Sequence, residues 1–179
     1  MHCSPNVLTI NTAIWSRCWC LGPRDWSLPS SAVETPYYVR YLKSPWEKFS
    51  LPGSAPAYAI GRSSEFVKTV RATFGPLVER VEKVPPGKHA WVMAEVPAEG
   101  SLTAFFGDLE ERITPSGSLW VVFPKKPFVE ELKFPFMWID VQKAGLSAGL
   151  VDNKIAAFSP RLTSIRFVVP VARRAKRAS

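Results

Sequence analysis

Apolar and polar residues along this chain follow two different periods, and the switches between them mark its elements. Ala55 to Gly61 (APAYAIG) is a short apolar run that ends at a glycine and predicts a buried strand. Ser63 and Ser64 then offer N-cap oxygens, with Glu65 in the first turn. Phe66, Val67, Val70 and Phe74 follow at helical spacing, and Gly75-Pro76 stops that helix. Leu77 to Val84 alternates imperfectly, as an edge or half-exposed strand does. Pro85-Pro86-Gly87-Lys88 is a turn, and the more apolar run His89 to Val96 predicts a central strand.

The second half repeats the alternation of strand and helix. Ser101 caps a helix whose Leu102, Phe105, Phe106, Leu109 and Ile113 form one apolar stripe, ended by Thr114-Pro115-Ser116-Gly117. Ser118 to Phe123 (SLWVVF) is the most strand-like run, stopped by Pro124-Lys125-Lys126-Pro127. Pro135 suits the first turn of a further helix, with Trp138, Val141, Gln142 and Gly145 on one face and Gly145 or Gly149 closing it. Val151 to Phe158 and Ser164 to Val171 are two strands, and residues 159–163 between them are short enough for an antiparallel hairpin. The order β-α-β-β-α-β-α-β-β predicts an α/β three-layer sandwich: a mostly parallel sheet covered on both faces, with a C-terminal antiparallel hairpin. Trp91 and Trp120 fall in its inner strands, where large rings fill the core. Tyr37, Tyr38, Tyr41, Trp46 and Phe49 precede the first strand and suit a lid, an extra helix or a partner contact.

Length and charge divide the chain into parts. Its 179 residues fit one domain with an arm, and a mean hydropathy near zero argues against wholesale disorder. The formal charge is +8, but Arg173, Arg174, Lys176 and Arg177 lie in the last seven residues with no acid. Without those four the rest has 19 Lys and Arg against 15 Asp and Glu, a mild +4. Residues 172–179 therefore read as a basic, disordered, solvated tail, and charge alone is weak evidence for nucleic-acid binding. Cys3, Cys18 and Cys20 all fall in residues 1–36, an irregular arm whose composition a start codon placed too far upstream would explain. A C-x-C pair with Cys3 and His2 is too small a set for zinc, so no metal is expected. The arm lacks the basic and apolar regions of a secretory signal, and no run is long enough to span a bilayer, which makes a cytoplasmic location the expectation.

GSLWVVFPKK, followed by a helix and then AGLVDNKIAAFSPRLTSIRFVV, resembles a bacterial family of unknown function. Its members are short proteins with a shrunken class I methyltransferase-like, or Rossmann-like, fold. Their "LWV-x-(aromatic)-PK" run is matched by Leu119 to Lys125, their "GLVD-x-K" strand by Gly149 to Lys154, and their closing strand by Ser164 to Val168. The resemblance spans roughly residues 41–171, within a domain that the sequence places at 37–171, and only its second half is specific. Leu162-Thr163 stands where members usually carry Trp-Ser, and Gly61-Arg62-Ser63-Ser64 replaces their usual turn after the first strand.

A methyltransferase of this type binds S-adenosylmethionine on a glycine-rich turn, and an acid ending the next strand holds the ribose hydroxyls. Here that turn has one glycine, Gly61, and Leu77 to Val84 ends without an acid, Glu82 being nearest. No cofactor is therefore expected, with S-adenosylmethionine as the alternative. His89 begins a strand, away from the expected crevice, and has no catalytic role in this reading. Glu95, at the carboxyl end of a central strand, is the best candidate for a general base or a ligand contact. Gly61, Arg62, Ser63 and Ser64 open a helix whose amides attract anions, and with Lys125 and Lys126 they suggest a pocket for a small anion or nucleotide. The sequence thus points to a non-catalytic module that binds a ligand or a protein partner and acts in regulation. The rival is an S-adenosylmethionine-dependent methyltransferase with a degenerate turn, and the third reading is nucleic-acid association through the tail.

Overall fold

Ser44 opens the described chain with a reciprocal cap: its hydroxyl accepts from the Glu47 amide, and the Glu47 carboxylate accepts from the Ser44 amide. This cap starts α1 (Pro45–Phe49), the first element of a computed structural model that describes residues 44–178. The expectations for the arm, its cysteines, Tyr37, Tyr38 and Tyr41 lie outside those residues. Phe49 is buried, with its ring edge-on to Phe74, Trp120 and Phe158, and its carbonyl accepts from Trp91 Nε1 at 3.0 Å. Of the aromatic residues ahead of the first strand, Phe49 therefore belongs to the core, whereas Trp46 is 45% exposed.

Next come β1 (Ala57–Ile60), α2 (Ser64–Phe74), β2 (Glu79–Arg80), β3 (His89–Glu95), α3 (Leu102–Glu111) and β4 (Ile113–Pro124). The chain ends with α4 (Trp138–Ser147), β5 (Val151–Ala157), β6 (Leu162–Val168) and α5 (Val171–Ala178). The six strands make one sheet in the order β2-β1-β3-β4-β6-β5. The pairs β1–β2, β1–β3 and β3–β4 are parallel, and β4–β6 and β5–β6 are antiparallel. This is the mostly parallel sheet with a terminal hairpin that the periodicity predicts. One face buries Val92, Val121, Phe123, Ile165 and Phe167 with Phe106, Leu109 and Val141 of α3 and α4. The other buries Ala59, Trp91, Met93 and Trp120 with Phe66, Val70 and Phe74 of α2 and with Phe49 of α1. Gly145 lets α4 approach the sheet, because a Cβ there would collide with the Phe167 ring.

Three elements differ most from the sequence reading, and in addition α4 starts at Trp138, past Pro135, and β6 ends at Val168, so that Val171 belongs to α5. The strand expected over Leu77 to Val84 shrinks to Glu79–Arg80, preceded by a 3-10 turn at Gly75–Leu77. Its apolar positions do different jobs: Val78 packs into the core on the α2 side of the sheet and Val84 into the core on the other, while Glu79 and Arg80 lie in water. Second, Thr114 to Gly117 do not simply end α3 but belong to β4, where the step from Ile113 to Ser118 opposes the shorter step from His89 to Trp91. A Cβ on Gly117 would sit 2.9 Å from the His89 carbonyl, so the irregular pairing needs glycine. Third, the tail expected to be disordered is the helix α5. Arg173 donates to the Gly149 carbonyl at 2.5 Å and pairs with Glu110 at 3.3 Å, and Arg174 Nε donates to the Val169 carbonyl at 3.0 Å.

Candidate functional site

The carboxyl ends of β1, β3 and β4 lie on one edge of the sheet, where open α/β folds place their ligands. After Ile60 the chain turns at Gly61, and the Phe66 ring lies so close that no Cβ would fit there. Ser63 is the N-cap of α2, its hydroxyl accepting from the Phe66 amide at 3.2 Å. Ser64 is the exposed first residue of the helix.

Glu95 ends the neighbouring strand and is half-buried. Its Oε2 accepts from the Arg62 amide at 2.8 Å and from the Ser63 amide at 2.9 Å, and its Oε1 accepts from the Ser63 hydroxyl. A negative group is well placed there, since free amides and the helix dipole make a helix N-terminus electropositive. The residues expected to cradle an external anion thus hold a carboxylate of the chain itself. Sequence reasoning brought Gly61, Arg62, Ser63 and Glu95 to one place, but did not foresee that Glu95 would fill the turn.

The lysine pair joins a different arrangement. Lys125 Nζ donates to the Ser159 and Pro160 carbonyls at 2.8 and 2.9 Å, clamping the β5–β6 turn. Lys48 feels that charge: burial first, and then the nearby Lys125, hold its ammonium below the usual lysine range. The Ser159 hydroxyl donates to Glu65 and accepts from the Leu162 amide at 2.9 Å. Arg161 pairs with Glu131 at 2.6 Å and lies 3.8 Å from Glu65. This polar latch ties the hairpin turn to the first turn of α2, beside the ring contact of Phe66 with Phe158 at 5.5 Å. Sequence reasoning missed it, although Ser159 and Arg161 in the hairpin loop and Glu65 in the first turn of α2 were all visible.

Lys126 begins a 3-10 turn and borders a cleft of about 260 Å³ on the α4 side of the sheet. Phe123, Val129, Trp138, Ile155 and Ile165 are among its lining residues. His89 sits at the opposite end of β3, its Nε2 3.0 Å from the Pro85 carbonyl and its ring edge-on to Tyr58. Among the described residues no three His, Cys, Asp or Glu converge as metal ligands, and no helix is long and apolar enough to cross a membrane.

No protein-family model and no curated protein matches the sequence. Solved structures do match. One is the complex between the Haloferax volcanii Trm112 methyltransferase activator and its candidate methyltransferase, with a TM-score of 0.51 and 9% identity over 70% of this chain and 87% of that one. A candidate S-adenosylmethionine-dependent methyltransferase from Listeria monocytogenes gives a TM-score of 0.48 and 11% identity, over 71% of this chain and 98% of that one. A TehB-like S-adenosylmethionine-dependent methyltransferase from Corynebacterium glutamicum gives 0.41 and 7%, over 64% of this chain and 68% of that one. The first of these carries the likeness, and what it establishes is the fold: this chain has a Rossmann-like sheet similar to that of the methyltransferase structure it matches.

Proposed function

We propose that this chain is a methyltransferase-fold protein that works without the cofactor, as a non-catalytic module binding a ligand or a protein partner in a regulatory role. The observation that carries the reading is Glu95. A ligand lying on the first turn of such a fold is met by the backbone amides there. Here the Arg62 and Ser63 amides are already bonded to the Glu95 carboxylate.

The residues present do not fit S-adenosylmethionine in other respects as well. The strand β2, whose end would supply an acid for the ribose hydroxyls, is two residues long and ends at Arg80, and the nearest acid beyond it, Glu82, is exposed on the connection to β3. The cleft at Lys126 lies at the ends of β4, β5 and β6 rather than at β1 and β2.

The second reading, methyl transfer from S-adenosylmethionine, draws support from the fold likeness and from an acid, Glu95, at the crevice edge. It requires Glu95 to release the turn when the cofactor arrives. Thermal unfolding of the full chain with S-adenosylmethionine or its demethylated product separates the two, because a ligand of the native state raises the midpoint by mass action. The proposal expects no shift with either compound. A dose-dependent rise would move the reading to methyl transfer.

A further inference from the structure

The cleft beside Lys126 has a composition of its own. Phe123 and Ile165, on the adjacent strands β4 and β6, form its buried floor, and Val129 and Ile155 line its sides. At its border Trp138 is 46% exposed and Ile155 63%, large apolar groups left in water. Its polar lining residues are few. The Thr163 hydroxyl donates to the Ala156 carbonyl, and Lys125 Nζ is taken by the two carbonyls of the hairpin turn. The ammonium of Lys126 is exposed and has no hydrogen-bond partner among the described residues. Among those residues no Asp or Glu lines the cleft, so Lys126 gives it a positive border.

We infer that this cleft is a binding site for a small hydrophobic monoanion, an aromatic or branched carboxylate. A concave, mostly apolar surface with one or two placed polar groups is the usual make-up of a small-molecule site. The apolar body of the ligand rests on the floor of Phe123 and Ile165 and takes Ile155 and Trp138 out of water, and its carboxylate meets the Lys126 ammonium. A neutral ligand would gain the burial but not the ion pair. A cationic ligand would meet the like charge of Lys126. The site is separate from the turn that Glu95 fills, so the inference stands whether or not S-adenosylmethionine binds there.

The test is calorimetric titration of the full chain with 2-naphthoate and with its neutral analogue 2-naphthamide. Naphthoate binds more tightly than naphthamide, and Lys126→Ala weakens naphthoate by roughly fivefold, the size of a partly exposed ion pair, while leaving naphthamide unchanged. Ile155→Asp, at an exposed edge position that leaves the melting midpoint in place, weakens both. Equal affinities for the two probes, no binding of either, or full binding by Ile155→Asp would each overturn the inference. So would sedimentation showing that a second copy of the chain already covers the cleft and that the probe merely competes with it.

Discussion

The carboxylate of Glu95 bonds to the amides of Arg62 and Ser63, which lie 33 and 32 residues earlier in the chain. It joins the end of β3 to the start of α2 across the place where ligands enter folds of this kind. Glu95→Ala leaves two amides and a hydroxyl without their partner, and is expected to cost about 1–3 kcal/mol. Urea denaturation measures the loss. An excess of acetate restores part of it in the variant, by filling the vacated turn, and does nothing for the unaltered protein. A variant as stable as the parent would mean that the turn does not depend on Glu95.

Two glycines give opposite expectations for the same substitution. Gly145→Ala drives a methyl group into the Phe167 ring, and the helix must lift from the sheet, at about 1–3 kcal/mol. Gly107 lies on the exposed face of α3, and a methyl group added there would meet nothing within 4 Å. Gly107→Ala therefore gains up to about 1 kcal/mol from helix propensity. Thermal unfolding of the pair should move the midpoint down for the first and up for the second.

Phe49 closes one face of the sheet through three ring contacts, although it belongs to a helix of only five residues. Phe49→Ala is expected to destabilise by about 3–5 kcal/mol, as a fully buried ring does. Trp46→Ala, on the exposed side of the same helix, should stay within about 0.5 kcal/mol. Chemical denaturation of both variants checks whether α1 is part of the core or an appendage.

Arg173 makes the C-terminal helix part of the fold by bonding to the Gly149 carbonyl and to Glu110. Arg173→Ala should lower stability by about 0.5–1.5 kcal/mol in urea denaturation, where a free basic tail would show no change.

Signals confined to neighbouring residues were legible in the sequence. Leu102, Phe106 and Leu109 gave α3 by their spacing, and Ser63 and Ser101 cap helices as their positions suggest. Signals that depend on distant partners were not. The alternation of Leu77 to Val84 suggested one strand, yet Val78 and Val84 are buried in the cores on opposite sides of the sheet. The tail read as solvated because its arginines have no acid nearby in sequence, but Glu110 waits 63 residues away. For the site, strand order and the ends of strands placed Glu95 and the Gly61–Ser64 turn on one edge. That the carboxylate would bond to the turn, rather than wait for a ligand, follows from a side-chain reach that periodicity does not encode.

The most direct test of the central claim watches the two amides themselves. In a 1H–15N correlation spectrum of the full chain, the Arg62 and Ser63 signals should shift on Glu95→Gln, which removes the charge they bond to, and should stay still as S-adenosylmethionine is added to the unaltered protein. Saturable movement of those two signals with added S-adenosylmethionine would contradict the account, because it would show that the cofactor displaces Glu95 from the turn.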